Sequence, residues 1–129
     1  MSFTHTLEQK IATAGRSVPC SNSYSGDGQL SRSIPVPNDS ADMEVAIVLD
    51  VSEIKLIFIK SDQDMTLETN NAGSPVDTIS LLANKPYIWD EDSYFVNLLT
   101  TDVTKIFLTQ SSGSAATLDI EAVFDSTPA

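Results

Sequence analysis

One histidine and one cysteine bound the chemistry this chain can perform. A nucleophile–base–acid set needs a base within hydrogen-bond reach of an activated Ser or Cys. His5 lies close to the chain end, where order is usually poorest. Cys20 has no basic sequence neighbour and no helix N-terminus to make it a thiolate, so the expectation is a small packed side chain. A single cysteine excludes an internal disulfide and any Cys-based zinc cluster. Gly26-Asp27-Gly28 lacks the third glycine and following helix of a phosphate cradle. This inventory predicts a protein that is not an enzyme and carries no cofactor.

Two acidic clusters and one aromatic cluster remain. Asp62, Asp64 and Glu68 surround one reversal, and Asp90-Glu91-Asp92 follows Trp89. Calcium needs six to eight oxygens converging on a point, and neither spacing is that of an EF-hand loop. Charged tips that protect strand edges and keep the surface soluble are the reading adopted, with no metal. Tyr87, Trp89, Tyr94 and Phe95 fall within nine residues. They could stack on a sugar, but core or subunit-interface duty is favoured.

The elements that must position these residues are strands. Val, Ile and Thr fill 31 of the 129 positions, and β-branched side chains suit a pleated surface. Phe3, His5, Leu7, Gln9 and Ile11 share one face of a first strand, and Met43, Val45, Ile47 and Leu49 share one face of another. Ile54 to Ile59 is nearly all apolar, as expected of a central strand covered on both faces. Further runs at Met65–Thr69, Thr78–Leu82, Tyr87–Trp89, Ile106–Thr109 and Thr117–Phe124 predict about nine strands. No window shows a sustained helical period. The fold class expected is all-β, an antiparallel β-sandwich or jelly-roll-like domain.

The chain echoes itself. Asp50-Val51-Ser52-Glu53-Ile54-Lys55-Leu56 matches Asp102-Val103-Thr104-Lys105-Ile106-Phe107-Leu108, and Met65-Thr66-Leu67-Glu68 matches Ala116-Thr117-Leu118-Asp119. Each copy reads as a hairpin, with tips at Ser61-Asp62-Gln63-Asp64 and Ser111-Ser112-Gly113-Ser114. Either two halves are pseudo-equivalent, or two strand pairs under one burial constraint converged on similar letters.

Charge divides the chain unevenly. The total is −11, which argues against nucleic acid or an anionic membrane as a partner through bulk charge. Residues 1–37 carry +1 and residues 38–129 carry −12. Pro35 and Pro37 forbid a central strand at their position and favour an edge or connector. The expected organisation is one domain, with an N-terminal arm or edge segment over 1–37 and an acidic sandwich body over 38–129. No apolar run approaches the ~20 residues of a membrane helix. No basic n-region with an apolar stretch follows Met1, so no secretory signal is expected.

Gly73-Ser74-Pro75-Val76-Asp77-Thr78-Ile79, Lys85-Pro86-Tyr87-Ile88-Trp89, Asp92-Ser93-Tyr94-Phe95 and Thr101-Asp102-Val103-Thr104 together resemble small virion structural proteins of tailed bacteriophages. The closing Ala116-Thr117-Leu118-Asp119-Ile120 and Asp125-Ser126-Thr127-Pro128 fit the same pattern, so the resemblance covers roughly residues 43–128. Within that group the chain looks most like capsid decoration (cement) proteins. The resemblance implies a β-sandwich, commonly homotrimeric, that binds the major capsid protein on the capsid surface of the virion after assembly in the bacterial cytoplasm. It implies an attachment arm, for which Phe3, His5, Leu7, Lys10 and Arg16 are the candidates, and a subunit interface, for which Tyr87, Trp89, Tyr94 and Phe95 are the candidates. A carbohydrate-binding β-sandwich of a tail or cell-surface protein is the alternative, as is a head–tail or tail subunit.

Overall fold

Alternation of apolar and polar residues sets the strands, and the strands close into two facing sheets. The computed structural model describes residues 2–126; Met1, and Thr127 and Pro128 of the closing motif, lie outside the described residues. Ten strands form: β1 (Phe3–Thr13), β2 (Arg16–Gly26), β3 (Gly28–Val36), β4 (Ser40–Leu49), β5 (Ile54–Ser61), β6 (Met65–Thr69), β7 (Thr78–Leu81), β8 (Tyr87–Asp90), β9 (Val103–Gln110) and β10 (Ala116–Phe124). One 3-10 turn, Val51–Glu53, precedes β5.

The sandwich consists of β3 to β10. One sheet has the order β3-β10-β5-β8 and the other β4-β9-β6-β7, every pairing antiparallel. This is the connectivity of an eight-stranded jelly roll. β3 is an edge strand, as its Pro35 requires. Between the sheets, Ile57 and Ile59 of β5 and Leu118, Ile120 and Ala122 of β10 meet Leu67 of β6 and Ile106 and Leu108 of β9. All are essentially sealed from solvent.

The two echoed units take a different form from that expected. β5 and β6 do not pair with each other, and neither do β9 and β10. Each unit is an arch that crosses from one sheet to the other, and the two interlock, β5 beside β10 and β6 beside β9. The reversals are therefore not hairpin tips. Their polar letters serve the crossing: Gln110, buried at the end of β9, donates from Nε2 to the carbonyls of Val36, Pro37 and Ser114, and its Oε1 accepts from Ser112. Ser61, at the end of β5, donates to the carbonyl of Gln63 at 2.6 Å. The shared aspartate lead-ins lie side by side. Asp50 accepts from Ser52 within its own turn, and Asp102 accepts from the amide of Val51 at 3.0 Å.

Candidate functional site

β1 and β2 stand apart from the sandwich as a two-stranded ribbon, each strand eleven residues long. Their register, Phe3 opposite Gly26 through Thr13 opposite Arg16, closes on an Ala14-Gly15 turn in which Gly15 supplies φ 83°. The root of the ribbon lies on the outer face of the β3-β10-β5-β8 sheet. There Leu7 and Tyr24 pack on Leu56 and Ile88 as a second, small core. This explains the unbroken apolar run of β5: Ile57 and Ile59 face the main core while Leu56 faces the ribbon. Lys55 Nζ donates to the carbonyl of Ser25 at 3.0 Å, and His5 Nε2 bonds Gln29 Oε1 at 2.8 Å. Beyond the root, residues 8–21 are exposed throughout.

Beside the root, the loop between β8 and β9 carries an apolar surface. Tyr94, Phe95 and Val96 are 101%, 80% and 88% exposed. They are held outward from beneath. The Tyr87 hydroxyl donates to Asn97 Oδ1 at 2.5 Å and accepts from the Leu98 amide at 2.8 Å, while Trp89 Nε1 donates to the Phe95 carbonyl at 2.9 Å. Asp77 accepts from both the amide and hydroxyl of Thr100 at 2.8 Å, fixing the far end of the segment. A groove runs between ribbon and loop, lined by Gln9, Asn22 and Tyr24 on one side and Asp90, Asp92, Tyr94 and Phe95 on the other.

The four candidate interface aromatics thus divide by role. Tyr87 and Trp89 are half-buried against the main core and brace the loop, whereas Tyr94 and Phe95 are presented to the outside. The candidate arm residues divide as well. Phe3, His5 and Leu7 occupy the ribbon face that meets the sandwich, with Leu7 buried; Lys10 lies on the opposite face and Arg16 at the ribbon end, both exposed. Cys20 departs from the expectation of a packed side chain. It is exposed on the ribbon, its sulfur accepting from Asn22 Nδ2 at 3.3 Å, because the ribbon extends past the sheet that would have covered it.

Three of the clustered aspartates hold backbone amides, and one glutamate holds a lysine. Asp62 accepts from the Thr117 amide and Asp64 from the Ala83 amide, each at 2.8 Å. Asp90 accepts from the Asp92 amide, and Glu91 pairs with Lys55 at 3.7 Å. Among the described residues, no three His, Cys, Asp or Glu gather in a way that could hold a metal. Glu68 titrates above the usual carboxylate range through desolvation, with the neighbouring Asp42 adding to it. Asp27 is held below that range, first by the Ser126 hydroxyl and then by the Ser126 amide.

The groove and the loop were only partly legible as a site. Tyr94, Phe95, Asp90 and Asp92 stand in sequence clusters, but nothing in the order of residues ties them to Gln9, Asn22 and Tyr24, which lie over sixty positions away. Compared with known proteins, the chain matches no family model, no curated protein and no solved structure.

Proposed function

We propose that this chain is a structural protein of a tailed-bacteriophage virion that decorates the outside of the capsid, binds the major capsid protein there and braces neighbouring capsomers. The observation that carries the reading is the ribbon itself. A rigid jelly roll extends an exposed two-stranded arm whose outer backbone edges are unpaired, and such edges add readily to a strand on another protein. A polar arm face bearing Lys10 can lie along a shell without the repulsion the acidic body would meet. Several weak arm contacts from one oligomer act together on a multivalent surface. Jelly rolls recur in viral capsid and lectin domains alike, so the fold is compatible with this role and does not select it.

The groove between ribbon and loop favours a second reading, a carbohydrate seat, since it places aromatic rings beside carboxylates and amides. Trp89 speaks against it, because its indole is turned to the core and committed to the Phe95 carbonyl. The test is co-sedimentation of the full chain with undecorated tailed-phage shells. Saturable binding, weakened at least tenfold by Lys10→Glu and unaffected by oligosaccharides, is expected. Absence of shell binding, with oligosaccharide binding in its place, overturns the proposal.

A further inference from the structure

The two faces of the ribbon are chemically unlike. One carries the cross-strand pairs Thr4–Ser25, Thr6–Ser23, Glu8–Ser21 and Lys10–Pro19, with hydroxyl–hydroxyl bonds of 2.8 and 3.0 Å in the first two. The other carries Leu7 and Tyr24 at its root, where it is buried on the sandwich, and then continues outward through Gln9–Cys20, Ile11–Val18 and Thr13–Arg16. Ile11 and Val18 stand directly opposite each other on this face, 70% and 48% exposed. A two-stranded ribbon is marginal in water unless its apolar face is covered. The inner half of this one is covered and the outer half, on the same face, is not.

The groove offers a matching surface on the same molecule. Tyr94 and Phe95 line its loop side together with Asp90 and Asp92, and Val96, next in the chain, extends the exposed apolar surface beyond it. Among the described residues no lysine or arginine lines the groove, while Arg16 ends the apolar face of the arm.

We propose that the outer half of the ribbon seats in the groove of a second copy of this chain, Ile11 and Val18 against Tyr94, Phe95 and Val96, with Arg16 over Asp90 and Asp92. Two features of the molecule argue for a sister copy as the occupant. The arm residues 3–26 carry the only positive excess of a chain whose body is −12, so the arm complements the groove's carboxylates. The contact also continues one the chain already makes, since the same ribbon face is packed on the sandwich at its root. Each copy gives one arm and receives one, so the contact closes as a reciprocal pair or around a ring. The lone thiol reports on the seat, because Cys20 lies on the apolar face between Leu7 and Val18. The inference is independent of what the assembly binds, as self-association is measured without shells.

The experiment is sedimentation of the full chain across concentration, paired with the alkylation rate of Cys20. The wild type is expected to self-associate, and its thiol to react at least tenfold more slowly when assembled than when dilute. Ile11→Ser with Val18→Ser is expected to raise the dissociation constant at least tenfold while far-ultraviolet circular dichroism is unchanged, since both positions are exposed. Arg16→Glu and Asp92→Lys are each expected to weaken association, and their combination to restore it. A monomer at all concentrations overturns the proposal. So does an oligomer indifferent to these substitutions, or one whose Cys20 reacts at the dilute rate. Protection of Cys20 only on adding an oligosaccharide also overturns it and assigns the groove to a sugar.

Discussion

Tyr24 is a phenol on the buried face of the ribbon, beside carboxylates. Burial first, then a hydrogen bond to Asp90 and the charges of Asp90, Asp92 and Glu91, push its hydroxyl up to about 12. Its neutral form is therefore the one the fold requires. An unfolded tyrosine ionises near ~10, so the stabilisation is fully present below that pH and is lost as pH rises through about 12. An ultraviolet titration of tyrosinate is expected to show a late step near 12 that Tyr24→Phe removes, accompanied by release of the ribbon in the wild type. One ordinary step for all three tyrosines would contradict this. Tyr87 also titrates late, chiefly through burial, with Asp77 adding to the shift and the Leu98 amide opposing it. These two tyrosines anchor the two walls of the same groove, one beneath the ribbon and one beneath the loop.

At the scale of elements, the ribbon's placement depends on a close approach. Gly26, the last residue of β2, passes directly over β10: a Cβ there would lie 1.9 Å from the carbonyl oxygen of Phe124. That oxygen is backbone of an interior strand paired on both sides, so it cannot retreat. Gly26→Ala is expected to cost about 2 kcal/mol in urea unfolding, with faster hydrogen exchange in β1 and β2. Gly28→Ala, whose added carbon would meet the Phe124 side chain at an ordinary 3.7 Å, is the control and is expected to change little. Equal effects at the two sites would refute the argument. Much of the element layer was legible in the letters. The alternation Met43, Val45, Ile47, Leu49 is the inward face of β4, and the doubly apolar β5 announced a cover on both sides. The arches were not legible, because Ser61-Asp62-Gln63-Asp64 suits a tip or a crossing equally well. The choice is made by which strand supplies the partner, here β10 from more than fifty residues away. Cys20 misled for a related reason: a ribbon that leaves its sheet exposes residues that alternation would bury.

For the whole molecule, charge governs how copies meet. Two chains of −11 at about 30 Å repel by roughly 17 kcal/mol in unscreened water, against about 1–4 kcal/mol gained by one close Arg16–Asp92 contact. At ~0.15 M salt the screening length is about 8 Å, so the long-range repulsion collapses and the short contact survives. Self-association is therefore expected to tighten at least tenfold between ~0.01 and ~0.15 M salt; weakening over that range would mean that attraction, not repulsion, sets the balance. The crossing of Gly26 over Phe124 has one more consequence. Phe3 pairs with Gly26, and Asp27 is bonded to Ser126, so the first strand begins close to where the last one ends. In space the described chain is nearly a closed loop. A short linker could join its two ends, new termini could be opened in the exposed crossing at Gly113, and a cargo fused after residue 126 would emerge at the ribbon's root, leaving the far end of the arm unencumbered.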